Sequence, residues 1–223
     1  MDIILDVEKL SERADEVDIK KDNKLVREIT LALKNAVREH KLLSLSAPQI
    51  GYNKRVFVIN FSGDIRTFVN PVITNVKGFE LSRETCSSIP DKTFLILRHN
   101  NIQVMYQTPL GKIESKQFLG SSAKVFQHQV NHLDGVLLSD VGLEIDEMFD
   151  NATEEERQEV ISMYLDSLDL KQKQIDKEIS EDKELKQISD GIDFMTKVQK
   201  GEVHIEQIPL DKQEESIEQE ENE

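Results

Sequence analysis

Charge is distributed unevenly along the chain, and this limits which part of it can fold around a core. Residues 151–223 contain 22 of the 43 acidic residues and 9 of the 28 basic residues, a formal charge of −13, whereas residues 1–150 carry only −2. A near-neutral segment of that length can bury a sizeable core, while a strongly acidic one repels itself and stays solvated. The sequence therefore predicts a globular domain at 1–150, an acidic helical extension at 151–200 and an acidic, disordered tail at 201–223.

The acidic balance also restricts the partners of the chain. Nucleic-acid binding needs clustered Lys and Arg against the phosphates, so we expect no direct contact with nucleic acid. No apolar run reaches the roughly 20 residues of a membrane helix, and the N-terminus lacks the basic start of a signal peptide, so we expect no membrane contact. The single cysteine, Cys86, cannot form an internal disulfide. A reducing, cytoplasmic location follows, with a protein partner of basic or amphipathic surface for the acidic extension.

Residues 1–150 alternate between helical and strand patterns. Apolar residues at helical spacing predict one helix from an N-cap at Asp22 or Asn23 to His40, and a second from about Ser121 to Gly135. Runs rich in β-branched residues predict short strands at 55–61, 68–76, 93–98, 101–107 and 112–118. The pattern is typical of an α+β fold.

The acidic segment contains two further helical patterns. Thr153 is a suitable N-cap, because it precedes three Glu residues that complement the helix dipole and an apolar stripe that packs against another surface. Apolar residues spaced by 3, 4 and 3 between Leu185 and Met195 predict a second short helix. Residues 213–223 are too poor in apolar groups to offset the entropy of ordering, so we expect them to be disordered.

A pair of histidines on the second predicted helix is a candidate metal site. His128 and His132 lie four residues apart, so both imidazoles project from one face. Two His at this spacing also occur as surface or core side chains, so the pair alone leaves both interpretations open. Cys86 can supply a third ligand, since it lies in a polar, loop-like stretch at 84–90.

Three segments around these residues resemble the motifs of peptide deformylases. That family carries G-x-G-x-A-A-P-Q, then E-G-C-L-S, then Q-H-E-x-D-H-L-x-G. This chain reads LLSLSAPQ at 42–49, ETCSS at 84–88 and QHQVNHLDG at 127–135, and its FVNP at 68–71 is similar to the family's L-x-N-P. The order and spacing agree over residues 25–142. The chain therefore resembles a divergent member of the family, whose divergent forms also occur in phages.

The resemblance implies antiparallel sheets around a central metal-binding helix. It also implies one divalent ion, Fe²⁺ in the cell and Zn²⁺ or Ni²⁺ after purification, held by Cys86, His128 and His132. In the family the Gln that matches Gln49 and the backbone N–H that matches Ser87 hydrogen-bond the oxyanion. The implied substrate is the formyl group of an N-formylmethionyl peptide or nascent chain.

The chain departs from the family at its catalytic carboxylate. Gln129 stands where the family has a Glu that takes a proton from the metal-bound water, and an amide cannot do this. Loss of such a group typically lowers the rate roughly 10²–10⁴-fold. Thr85 and Asn131 replace the family's Gly and Asp. The resemblance also implies substrate-side positions for Leu42, Ser44, Glu84 and Arg98. Leu42 and Ser44 stand where the family has glycines.

Three interpretations of these departures stay open. The first is a deformylase-type hydrolase of weak activity, in which Glu84 or a chain of waters replaces the missing base. The second is a pseudoenzyme that holds a metal and serves in binding or assembly, including a virion role if the chain comes from a phage. The third is a scaffold in which Cys86, His128 and His132 no longer bind a metal.

Overall fold

The fold is α+β, as the sequence predicts. The computed structural model describes residues 2–181, with side chains as far as residue 173. In chain order the elements are α1 (Val7–Leu10), α2 (Ile19–Glu39), β1 (Ser44–Ser46), a 3₁₀ turn (Pro48–Ile50), β2 (Val56–Phe61), β3 (Asp64–Cys86), β4 (Ile89–Gln107), β5 (Ile113–Leu119), α3 (Ser121–Leu133), α4 (Leu138–Val141), β6 (Leu143–Ile145), α5 (Glu147–Asn151) and α6 (Glu154–Glu181). The predicted helix at 185–195 and the tail at 201–223 lie outside the described residues.

The chain divides into two compact units, with the boundary between Ala152 and Thr153. The first unit contains all the described strands, and the second begins with α6. Thr153 caps α6 as the sequence predicts: its hydroxyl accepts from the backbone N–H of Glu156, whose carboxylate accepts from the N–H of Thr153. None of the described helices is long and apolar enough to cross a membrane.

The sheet is antiparallel throughout, with the strand order β1-β2-β3-β4-β5 and with β6 paired to β4. Its main feature is the β3–β4 hairpin, which closes at the pair Cys86–Ile89. The prediction of separate strands at 93–98 and 101–107 was wrong, because pairing continues across the polar gap, with Asn101 opposite Lys77. The hairpin therefore reaches Cys86 as one pair of strands, with register shifts at 69/72, 73/75 and 85/86.

Helix α2 begins four or five residues earlier than predicted. Asp18 is its N-cap and accepts from the backbone N–H groups of Lys20 and Lys21. Asp22, one of the two predicted caps, has non-helical φ and ψ angles of −101° and 17°, so it marks a kink inside the helix. The predicted apolar stripe is buried: Val26, Ile29, Leu33 and Val37.

Helix α3 packs on the sheet through an aromatic cluster. The ring of Phe126 lies with its centroid 5.0 Å from that of Phe57 and 5.2 Å from that of Phe68, in edge-on arrangements. Two hydrogen bonds also fix the position of α3. The buried amide of Gln127 accepts from the backbone N–H of His99 and donates to the carbonyl of the same residue. The helix is therefore held against β4 in one register.

The segment before α2 crosses the far end of α3. The backbone N–H of Ala14 donates to the carbonyl of Leu133, and that of Ile4 donates to the carbonyl of Gln49, both at 2.9 Å. Gly135 lies directly under this segment with φ of +71°, and a Cβ added there would meet the carbonyl oxygen of Ser11 at 2.3 Å. This position therefore requires glycine on grounds of both conformation and space.

Candidate metal centre and active site

The three predicted metal ligands meet at one place. Cys86 ends β3, whereas His128 and His132 lie one turn apart on α3. Their potential ligand atoms all lie within 4.8 Å of one another, and Sγ of Cys86 is 3.2 Å from Nε2 of His132. Among the described residues, these three side chains form the group that is close enough together to hold one metal ion.

The surroundings favour the thiolate form of Cys86. Burial raises the pKa of the thiol, but hydrogen bonds with His128 and His132 outweigh this effect and lower the pKa to about 5. Burial lowers the pKa of both imidazoles; for His128, contacts with Cys86 and Glu84 outweigh it and raise the pKa, whereas the pKa of His132 stays lowered. A thiol with this pKa is a thiolate at neutral pH, and the thiolate is the form that binds metals.

These donors fit a single divalent ion. Nδ1 of His128 lies 2.9 Å from a carboxylate oxygen of Glu84, which leaves Nε2 of that ring as the ligating atom. Nε2 of His132 faces the sulfur of Cys86, while its Nδ1 is buried without a hydrogen-bond partner. A thiolate and two imidazole nitrogens make up a donor set suited to Zn²⁺ and similar borderline ions.

Glu84 belongs to the support of the metal site. Its two carboxylate oxygens accept from Nε and Nη2 of Arg98, each at 2.9 Å, and one of them also contacts His128. Burial raises the pKa of Glu84, but the hydrogen bonds from His128 and Arg98 lower it to about 2. A carboxylate held this firmly in the charged form is a poor proton acceptor at neutral pH, which disfavours Glu84 as a substitute base.

Arg98 is held by Glu84 and Asn131. Its side chain is 5% exposed, and it is not among the residues that line the cavity beside Cys86. Besides the paired bonds to Glu84, its guanidinium donates to the side-chain oxygen of Asn131. Arg98 thus orients Glu84, and Glu84 orients His128. The substrate-side role that the resemblance implies for Arg98 stays a prediction.

Gln49 is fixed beside the sulfur ligand. Its side-chain oxygen accepts from both the backbone N–H and the hydroxyl of Ser46, each at 3.0 Å. Its Nε2 therefore faces the β3–β4 turn, 3.1 Å from the hydroxyl of Ser88, 3.4 Å from that of Ser87 and 3.7 Å from Sγ of Cys86. The structure thus brings Gln49, Ser87 and Cys86 together, with amide hydrogens directed at the site.

Gln129 is held by one of the residues that replace the family's glycines. Its Nε2 donates to the hydroxyl of Ser44 at 2.8 Å, and its side chain is 2% exposed. The other polar atom of this amide, Oε1, is buried and has no hydrogen-bond partner. The site therefore has a neutral amide, not a carboxylate, where a general base is expected.

A cavity of about 490 Å³ opens beside these residues. Cys86, His128 and Gln129 lie in its wall together with Ser44 and Gln49. Leu42 also lines it, and the cavity stays open beside this side chain. Further apolar wall comes from Leu81 and Val125, with Arg83 and Lys124 as nearby cations. The cavity combines an apolar wall with polar groups, as small-molecule and peptide sites do.

Sequence reasoning missed two residues that position this site. Ser46 fixes the amide of Gln49, and Gln127 fixes the helix that carries both histidines. Gln127 could have been noticed, because a Gln on the apolar side of a predicted helix needs buried partners. Ser46 gave no comparable signal, because its contact depends on the 3₁₀ turn that follows β1.

The fold, and the cluster of Cys86, His128 and His132 that could hold one metal ion, together define a deformylase-like protein. The sequence pattern that describes polypeptide deformylases matches residues 3–147, well over half of the chain. The chain therefore belongs to the peptide deformylase family, as the three motifs predicted.

Individual relatives agree with this assignment. A peptide deformylase of Symbiobacterium thermophilum is 33% identical over 121 residues, which make up 53% of this chain and 56% of that protein. The chain thus spans little more than half the length of that relative. The structure of a probable peptide deformylase from Synechococcus phage S-SSM7 is similar with a TM-score of 0.58 and 32% identity, covering 63% of this chain and 97% of that one. A Met-Ala-Ser-bound class I type b peptide deformylase from Acinetobacter baumannii has a TM-score of 0.57 and 25% identity, covering 63% and 99%.

Proposed function

We propose that this chain binds N-formylmethionyl peptides at one divalent ion held by Cys86, His128 and His132, and hydrolyses their formyl group slowly. The observation that carries the proposal is the convergence of these three side chains within 4.8 Å, beside a cavity with room for a peptide end. Thiolate and imidazole donors suit Fe²⁺, Zn²⁺ and Ni²⁺. The Met-Ala-Ser ligand of the Acinetobacter baumannii structure supports a methionyl peptide as the occupant.

The ion and the residues around it would contact different parts of the peptide. The bound ion would polarise the formyl carbonyl and lower the pKa of a water at its open position. Nε2 of Gln49 and the backbone N–H of Ser87 would hydrogen-bond the carbonyl oxygen as negative charge develops there. Leu81 and Val125 offer apolar surface for the methionine side chain.

Slow hydrolysis follows from Gln129. A deformylase needs a group that accepts a proton from the attacking water and delivers it to the leaving amine, and the amide of Gln129 cannot change its protonation state. The paired oxygens of Glu84 do not replace it, because its pKa of about 2 leaves it a weak base. Since general acid–base catalysis typically contributes roughly 10²–10⁴-fold, we expect turnover to be lower by that order than with a carboxylate at position 129.

The first test compares wild type with Gln129→Glu. Both are purified anaerobically, loaded with one equivalent of Zn²⁺ and assayed for release of formate from formyl-Met-Ala-Ser. We expect the variant to be about 10²–10⁴-fold faster at equal metal content. Equal rates for the two proteins would contradict the assigned role of Gln129. Cys86→Ala serves as the metal control, and a full equivalent of tightly held metal in that variant would remove Cys86 from the site.

A non-catalytic role in binding or assembly is the second candidate. It is favoured by Gln129, because an amide does not titrate. This amide is also buried, at 2% exposure, and bonded to Ser44. Wild type that binds formyl-Met-Ala-Ser but releases no formate above the metal-free control would support it. A cytoplasmic location, and a basic protein partner for the acidic residues 151–223, belong to either version of the proposal.

A further inference from the structure

The contact between Ser44 and Gln129 joins two positions at which this chain departs from the motifs of its family. Ser44 lies on β1 and Gln129 on α3, 85 residues apart in sequence, and Nε2 of Gln129 donates to Oγ of Ser44 at 2.8 Å. Both side chains lie in the wall of the cavity. Because a glycine at position 44 would offer no hydroxyl, the amide hydrogens of Gln129 would lose this acceptor.

The bond decides which end of the amide is unpaired. With Nε2 occupied by Ser44, the remaining polar atom is Oε1, which is buried and has no hydrogen-bond partner. A buried acceptor without a donor typically costs about 1–3 kcal/mol. A donor that reaches Oε1 when a ligand enters the cavity and the neighbouring side chains move is therefore favourable there. The amide could rotate in the absence of Ser44 and present a donor instead.

We infer that Ser44 is a positioning residue, which turns the amide of Gln129 so that its oxygen accepts a hydrogen bond from the ligand in the cavity. This inference rests on the proposed function, because the ligand it concerns is the formylated peptide at the same site. Substituting the hydroxyl therefore weakens peptide binding, and it does so only while Gln129 is present. A serine that merely filled space would not show that dependence.

The test is a double-mutant cycle on zinc-loaded protein, with formyl-Met-Ala-Ser as the probe in calorimetric titration. Ser44→Ala should weaken binding about 3- to 10-fold, the effect of one neutral hydrogen bond. Ser44→Thr keeps the hydroxyl and should stay within about 2-fold of wild type. In a Gln129→Ala background the same Ser44→Ala change should have no further effect. Equal losses in both backgrounds, or no loss in either, would overturn the inference.

A second measurement does not depend on peptide binding. The side-chain NH₂ resonances of Gln129 are identified as those missing in Gln129→Glu, and their exchange with water is followed by NMR. They should exchange slowly in wild type and faster in Ser44→Ala, with Ser121→Ala, another serine that lines the same cavity, as a matched control. Unchanged exchange in Ser44→Ala would refute the tether. Slow exchange in a protein that binds no formyl-Met-Ala-Ser would refute the proposed function and leave the tether intact.

Discussion

The salt bridge between Glu84 and Arg98 makes a quantitative prediction about stability. Both side chains are buried, at 10% and 5% exposure, and they share two hydrogen bonds of 2.9 Å. The pKa of Glu84 falls from 4.5 to about 2 in the folded chain. A shift of this size corresponds to about 3 kcal/mol of stabilisation by the charged form. We therefore expect Glu84→Gln to lower the free energy of unfolding by about 3 kcal/mol at pH 7.

The pH dependence gives the sharper form of this prediction. Because the pKa of Glu84 is lower in the folded state than in the unfolded state, its contribution is fully present above pH 4.5 and is lost as the pH falls toward 2. The difference between wild type and Glu84→Gln should thus shrink by about 2 kcal/mol between pH 5 and pH 3. Urea denaturation of metal-free protein across this range measures it, since bound metal would add its own pH dependence.

A matched variant separates this effect from a general loss of charge. Asp64 pairs with Arg66 at 2.7 Å, but both side chains are about half exposed, so Asp64→Asn should change stability by less than about 1 kcal/mol. A Glu84→Gln effect no larger than that of Asp64→Asn, or one that does not vary between pH 5 and pH 3, would refute the reasoning.

Two further substitutions test the packing around the site. Gly135→Ala should destabilise the chain by several kcal/mol, because φ is +71° and the new Cβ would meet the carbonyl of Ser11 at 2.3 Å. Gly63→Ala is the control: φ is +101° but the space around it is open, so it should cost only about 1–2 kcal/mol. A similar melting temperature for the two would contradict the steric argument. Gln127→Ala should cost about 1–3 kcal/mol, because it leaves two partly buried backbone groups of His99 without this partner, and hydrogen exchange at the His99 amide should become faster.

The site was predictable from sequence where side-chain chemistry is local. The spacing of His128 and His132 places them on one helix face whatever surrounds them, and the order of the motifs added Cys86 and Gln49. The surroundings of Arg98 were not predictable in this way. Its partners, Glu84 and Asn131, come from the neighbouring strand and from the helix, so its direction depends on a packing arrangement that the sequence pattern does not record.

The fold was predictable in its elements but not in their continuity. Polar residues such as Asn101 look like breaks in a strand, yet a long hairpin can expose one face to solvent and keep pairing across them. The start of α2 was missed for a related reason. Asp22 has the chemistry of a cap, but Asp18 has it too, and the buried Ile19 draws the helix back by one turn.

The crossing of α3 by the first residues of the chain has a consequence for biosynthesis. The amide of Ala14 leaves the ribosome early, whereas its acceptor, the carbonyl of Leu133, is made only when most of the first unit has been translated. Long-range contacts of this kind form late, because a long loop must close before they contribute. The two histidines therefore gain their final support only after β1 to β5 have been made, and a protein truncated before residue 128 would present Cys86 without its partners.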